Sequence, residues 1–340
     1  MKPEQQIREL IELNLNIKKL GESIYDSPIQ LYDDDHTDDY SIYIPDNERV
    51  YTTVDATLIK KITAEGHEVP SFEKAGPREK LFFESGTAVS GIITCGGLCP
   101  GLNAVIRGIV MMNHYRYGNS LTYGFKYGYA GMVKELEHEV IKLTPESVTQ
   151  IHTTGGTMLG SSRGDQDPVK MVDTLEELGI NVLYAIGGDG THRGAMHIIQ
   201  EIEKRGLKIA VIGVPKTIDN DINFIDKSFG IETAFSEACK AIHAAHTEAK
   251  DAHYGIGVIK LMGRDSGFIA ANATLATGQV NVCLIPEQDF DLDGDHGVLK
   301  EIEIKTLQKK HCLVVVAEGA GQKYVLDPNN LRKDPSGNVR

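Results

Sequence analysis

The chain has 340 residues, 41% hydrophobic and 24% charged, with a formal charge of −13, a composition that suits two globular domains with sizeable cores. That negative balance excludes non-specific nucleic-acid binding, which rests on Lys and Arg neutralising phosphates, so any anionic ligand must be met by local cations. No stretch approaches the ~20 apolar residues that cross a bilayer and the first residues lack a signal-peptide core; with five cysteines and no paired metal knuckle, the expectation is a cytoplasmic protein with reduced thiols and neither nucleic acid nor membrane as partner.

In chain order, residues 4–20 space Ile7, Leu10, Ile11, Leu13, Leu15, Ile17 and Leu20 as an amphipathic helix that would dock on a domain or a partner subunit. Asp33, Asp34, Asp35, His36, Thr37, Asp38 and Asp39 then read as a solvated acidic loop. As far as about Ser85 the sequence is irregular, broken by Pro45, Pro70 and Pro77, so 1–86 is expected to be an N-terminal extension without a core.

From Thr87 short β-branched runs alternate with helical patterns, the signature of a parallel sheet built from βαβ units. Strands are predicted at 89–94, 182–186, 209–214, 255–261, 280–285 and 313–317, and helices at 103–115, 169–178, 193–205, 231–250 and 267–275. The fold class is therefore α/β, with helices on both faces and a domain boundary near Gly230.

Open α/β sheets bind ligands beyond the carboxyl ends of their strands, so the loops after the predicted strands carry the argument. The first holds Gly96, Gly97 and Gly101 before a helix start that favours phosphate, although tight strand-to-helix packing alone also explains such a turn. The stretch 155–165 adds Ser161, Ser162, Arg163, Gly164 and Asp165, a mixture suited to a polyphosphate. After 182–186 come Gly187, Gly188, Asp189, Gly190 and Thr191, where one carboxylate between glycines could anchor Mg²⁺, which takes one or two carboxylates plus phosphate oxygens. A simple Asp-Gly turn is the plainer alternative there.

The string from Pro215 to Asp221 is the most specific: Lys216, Thr217, Asp219 and Asp221 supply a cation, a hydroxyl, a proton acceptor and a possible metal contact. Met262, Gly263 and Arg264 follow the fourth strand, the arginine being an anion clamp or a partner of neighbouring acids. Glu318, beyond the last strand, could accept hydrogen bonds from sugar hydroxyls. His243 and His246 lie in an Ala-rich helix with no third ligand and read as packing or surface. No Ser-His-Asp arrangement or P-loop ending is visible.

Taken together, GGLCPGLNAVIRG, GGTMLGSSRGD, GGDGT, PKTIDND, MGRDSGF and AEGAGQ across 89–321 resemble the 6-phosphofructokinases, in particular the branch that mixes ATP-dependent plant and protist enzymes with pyrophosphate-dependent relatives. The resemblance implies a parallel-sheet sandwich of two similar Rossmann-like domains, with 87–230 binding the nucleotide and 231–340 an incomplete sugar-phosphate domain. It implies a glycolytic, allosteric kinase and a homo-oligomer, dimer or tetramer, using ATP and fructose 6-phosphate. Gly96, Arg163, Gly164, Gly188, Asp189, Gly190 and Thr191 would hold the nucleotide, with Asp189 on Mg²⁺. Asp219 would be the base, Thr217, Arg163 and Arg264 would stabilise the transferring charge, and Thr217, Ile218, Asp219, Met262, Gly263, Arg264 and Glu318 would meet the sugar phosphate. Donor choice would follow Gly190, which leaves room for a nucleotide, whereas Lys216 is shared with pyrophosphate users.

The family continues past the AEG motif into a segment with a histidine and arginines for the 6-phosphate. Here no histidine follows Glu318 and the only arginines are Arg332 and Arg340, so the expectation is a C-terminally truncated chain. Pyrophosphate as donor and a non-catalytic nucleotide-binding regulator stay open as alternatives. GGDGT alone also occurs in NAD and diacylglycerol kinases, against which PKTIDND and MGRDSGF argue.

Overall fold

A computed structural model describes residues 8, 10–29, 42–119 and 121–324. Arg8, Leu10 and Ile11 are helical, but the chain leaves the helix at Glu12 and runs without regular structure to Leu20, so the helix expected over 4–20 is cut short. In its place the segment is strapped to the body: Lys18 pairs with Glu203 at 2.8 Å, Lys19 with Glu73 at 3.7 Å, and the Leu20 carbonyl accepts from Lys208 at 2.7 Å. Glu4 to Ile7, and the acidic run 33–39, lie outside the described residues.

The rest of the extension holds more order than its sequence promised: β1 (Tyr25–Asp26), β2 (Arg49–Tyr51), α1 (Ala56–Ala64), β3 (Ser71–Glu73) and β4 (Lys80–Leu81). The strands form two small antiparallel pairs, β1 with β4 and β2 with β3. Asp55 caps α1 by accepting from Thr57 N and Leu58 N, and Ile62 on that helix is fully buried.

The main body begins with β5 (Ser90–Thr94), α2 (Leu102–Tyr115), β6 (Thr122–Phe125), β7 (Val140–Leu143), α3 (Pro145–Val148), α4 (Pro168–Glu177), β8 (Val182–Gly187), α5 (Asp189–Arg205) and β9 (Ala210–Pro215). These strands make one five-stranded sheet in the order β7-β6-β5-β8-β9, parallel except for β7. Side chains alternate across its faces, as strand geometry demands. Ile92 and Ile186 join Leu102, Ile106 and Val110 of α2 in one core, whereas Ile93, Leu183 and Ala185 join Leu175 of α4 and Ile198 of α5 in another.

A second unit follows: α6 (Ile231–Asp251), β10 (Ile256–Leu261), α7 (Phe268–Thr277), β11 (Val282–Leu284), α8 (Val298–Lys309) and β12 (Cys312–Ala317). Its sheet is parallel throughout, in the order β10-β12-β11. Leu313, Val315 and Ala317 pack on Ile242 of α6 and Ile269, Ala270 and Ala273 of α7. The strand expected over 280–285 is three residues long because Asn281 takes up the ladder with its side chain, accepting from Leu313 N at 2.9 Å while its own N–H donates to Leu313 O at 2.8 Å. β10 is an edge strand, and Ile256 and Val258 are 53% and 66% exposed along it. No helix among the described residues is long and apolar enough to cross a membrane.

Candidate active site

The chain reverses direction across the first sheet between β5 and β8: β6 lies to one side of β5, and β8 and β9 lie to the other. The helices that follow the two central strands accordingly pack on opposite faces, α2 on one and α5 on the other. This leaves a crevice beyond the carboxyl ends of β5 and β8, the place where such sheets take ligands. A cleft of about 1040 Å³ opens there and reaches the carboxyl ends of β9, β10 and β12.

The wall after β5 is bare backbone. Gly96 has φ 83, and a side chain there would come within 3.7 Å of the Lys216 ammonium. The neighbouring stretch is tied to it by hydrogen bonds, Gly96 N to Ser162 O at 3.0 Å and Ser161 Oγ to Gly96 O at 2.6 Å. Arg163 and Gly164 are thereby held on the same wall, Arg163 exposed toward the cleft.

After β8 the structure corrects the sequence reading. Asp189, Gly190 and Thr191 are not a turn ahead of a helix starting at 193; they are the first turn of α5, with Gly188 at its N-cap. The helix N-terminus, with its unpaired N–H groups, therefore faces the cleft directly. Thr191 is 5% exposed and folds back so closely that a Cβ on Gly187 would stand 2.0 Å from its hydroxyl. The Tyr129 hydroxyl clamps this turn by donating to Thr191 O at 2.5 Å.

Lys216 follows β9, fastened by its N–H to Gly187 O at 2.9 Å. It is only 6% exposed, and among the described residues no carboxylate pairs with it. Burial lowers its pKa from the ordinary lysine value; Cys99 and Cys95 act to raise it and Arg163 to lower it. A buried ammonium without a carboxylate is costly to keep charged.

Asp219 sits at the centre of the cleft. The Arg264 N–H donates to its Oδ2 at 3.3 Å, while Oδ1 is buried with no hydrogen-bond partner. Burial raises its pKa above the ordinary aspartate value, and the charges of Asp221 and Glu318 push the same way against Arg264. The backbone carrying it is pinned by Ser266 Oγ donating to Asp219 O at 2.5 Å. Asn220 holds a left-handed φ of 57, fixed by Ser228 N donating to its Oδ1 at 2.6 Å. Thr217 donates its hydroxyl to Asp221 Oδ1. Ile218 lines the cleft between Thr217 and Asp219.

Met262, Arg264 and Glu318 reach the cleft from the second sheet. Gly263 is buried and does not line it; with φ 130, a Cβ there would meet Ser266 O at 2.3 Å, so its contribution is to the bend of the loop. Glu318 N donates to Leu261 O at 2.8 Å, which sets the two loops side by side. A Cβ on Gly319 would stand 1.6 Å from Arg264 O, so only glycine permits that approach.

Sequence reasoning did not single out Tyr129 or Arg193, both in the cleft wall. Tyr129 lies on a short 3₁₀ stretch after β6, where no periodicity marks it; the only signal was its place among glycines. Arg193 is the fifth residue of α5, and its exposure to the cleft follows from the early start of that helix.

These residues can be compared with known proteins. A family model described as phosphofructokinase matches residues 89–333. The chain is 46% identical over 333 residues to the ATP-dependent 6-phosphofructokinase of Borreliella burgdorferi, covering 96% of this chain and 73% of that one. It is 49% identical over 269 residues to the chloroplastic ATP-dependent 6-phosphofructokinase 4 of Arabidopsis thaliana, covering 78% of this chain and 50% of the relative. Among solved structures, the pyrophosphate-dependent phosphofructokinase of Marinobacter aquaeolei has a similar fold, with TM-score 0.59 and 24% identity over 68% of this chain and 61% of that one.

Proposed function

The chain belongs to the phosphofructokinase family, and on that footing we propose that it transfers the γ-phosphoryl group of ATP to the 1-hydroxyl of fructose 6-phosphate. The observation that carries this reading is the half-buried Asp219 carboxylate, held by the Arg264 N–H and set in one cleft with the α5 N-terminus and Arg163 on one side and Arg264 and Glu318 on the other.

In this reading the Asp219 carboxylate accepts the proton of the sugar hydroxyl as the hydroxyl oxygen forms a bond to the γ-phosphorus. The bond from that phosphorus to the bridging oxygen of ADP breaks in line, and the proton leaves Asp219 for solvent once product departs. Arg163 and Arg264 hold the charge that develops on the phosphoryl oxygens, and Thr217 steadies the reacting loop. Gly96, Gly164, Gly188 and Gly190 let the nucleotide phosphates approach backbone N–H groups. Met262 and Glu318 contact the sugar.

Asp189 fits Mg²⁺: it is an exposed carboxylate in the first turn of α5 on the cleft wall, and no group of three or more His, Cys, Asp or Glu among the described residues competes to enclose an ion. Bound with ATP, magnesium would neutralise the phosphate oxygens, the share of the work that protein carboxylates cannot do.

We assign 87–230 to the nucleotide and 231–340 to the sugar phosphate. A dimer or tetramer follows from the family resemblance alone, and a cytoplasmic setting is supported by five free cysteines. Pyrophosphate as donor is a second reading favoured by one observation, the buried Lys216. A coupled assay for fructose 1,6-bisphosphate with Mg²⁺ and either ATP or pyrophosphate decides between them. Turnover with ATP that is abolished in Asp219→Asn supports the proposal; nucleotide binding without turnover on either donor defeats it in favour of a non-catalytic binder.

A further inference from the structure

The sequence left His243 and His246 on an Ala-rich helix without a third group, but the fold brings in another imidazole 65 residues along the chain. His246 of α6 and His311, just before β12, face each other with their Nε2 atoms 3.1 Å apart. Both rings are half-buried and neither lines the catalytic cleft.

The tautomer of one ring is fixed. His311 Nδ1 lies 3.0 Å from the Lys309 carbonyl, which can only accept, so Nδ1 carries the proton and Nε2 of the neutral ring presents a lone pair. A backbone carbonyl behind one ring nitrogen is the arrangement that orients and strengthens a metal-ligating histidine at the other. The separation also fits. With metal–nitrogen bonds of about 2.0–2.1 Å, two nitrogens on one ion stand about 2.9 Å apart at a right angle and about 3.35 Å apart at the tetrahedral angle; the observed 3.1 Å falls between.

We propose that His246 and His311 form a two-imidazole site for a first-row transition cation such as Zn²⁺ or Ni²⁺, cross-linking α6 to β12 at the end of the second sheet opposite the catalytic cleft. His246 binds as the Nδ1–H tautomer, its proton moving from the nitrogen that takes the metal, so no net charge is lost from the ring. The remaining coordination positions are filled by water, since no third His, Cys, Asp or Glu among the described residues completes the group. Hard cations are excluded by the chemistry of the donors: Mg²⁺ and Ca²⁺ take oxygen ligands.

Isothermal titration of the full chain with Zn²⁺ alone and with Ni²⁺ alone tests this, alongside His246→Ala, His311→Ala and, as comparator, His243→Ala. The parent binds one equivalent of each, and either pair variant loses at least tenfold in affinity for both ions, with His243→Ala unchanged. In thermal melts Zn²⁺ raises the Tm of the parent and not of the pair variants, and Mg²⁺ gives no such difference. Kinase activity without added transition metal is the folding check, and both pair variants retain it. Affinity that is the same in the parent and in folded His246→Ala and His311→Ala, or a loss in His243→Ala as large as theirs, overturns the site.

Discussion

The backbone N–H of Arg264 is the sole hydrogen-bond donor that reaches the Asp219 carboxylate among the described contacts, 3.3 Å from Oδ2, and it leaves Oδ1 buried and bare. A loop of the second sheet thus holds the carboxylate of the first, and Asp219 lines the cleft they share. Burying an acceptor without a partner costs stability. Asp219→Asn removes the charge and keeps the shape. We expect turnover to fall about 10²–10⁴-fold and the Tm of the ligand-free protein to rise at neutral pH, measured by the coupled assay and by differential scanning calorimetry.

The direction of the Asp219 pKa sets the pH dependence. The base must be ionised to act, so the rate falls as pH drops through its raised pKa, and the acid limb of kcat/KM lies above the ordinary aspartate value of 3.8. Between 3.8 and the raised value the folded protein binds the extra proton, so stability falls as pH rises through that window and the penalty is complete above it. Asp221 contributes to the shift by like charge. Asp221→Asn is therefore expected to move the acid limb to lower pH, and a limb that stays put would assign the titration to another group.

Lys216 is the complementary case, a cation buried with no carboxylate partner among the described residues. Its lowered pKa means that between that value and the ordinary 10.5 the unfolded chain binds more protons, so this group makes stability rise with pH across that window. Phosphate in the cleft would offset the buried charge. Lys216→Met is expected to weaken binding of the phosphoryl donor about 10–100-fold, the worth of one charged hydrogen bond of about 1.5–3 kcal/mol, while raising the Tm of the ligand-free protein. Donor KM and thermal melts are the two measurements.

Much of this site could be read from the chain because each loop follows a strand whose apolar run is plain, and the carboxyl ends of these strands line one cleft. Gly96, Asp189, Asp219, Arg264 and Glu318 were found that way. The order itself could not be read: nothing in the 182–187 run says that β8 lies beside β5, and that adjacency is what aims the α5 N-terminus at Gly96. Local propensity also misplaced the start of α5, since two glycines and an aspartate look like a turn until Thr191 folds onto Gly187. In the extension, Leu13 to Leu20 carry a helical pattern, yet the segment runs without regular structure and Lys18 and Lys19 pair with Glu203 and Glu73. His311 escaped notice because its partner is 65 residues away on another element.

Gly190 offers the sharpest test of donor choice. It is the second residue of α5, exposed at the mouth of the cleft, and a Cβ added there meets nothing within 4 Å. An aspartate therefore fits the fold, and a carboxylate in the first turn of a helix is electrostatically welcome, so Gly190→Asp is expected to leave the Tm unchanged within about 1–2 °C, a difference below about 0.5 kcal/mol for a chain this size. Its negative charge instead meets the nucleotide phosphates beside Asp189. ATP-dependent kcat/KM should fall at least about 100-fold, some 2.7 kcal/mol of lost transition-state stabilisation, while turnover with pyrophosphate, which needs no room for a nucleoside, should lose less. The ratio of the two donors in parent and variant reads this out: an unchanged ratio would mean that residue 190 does not choose the donor.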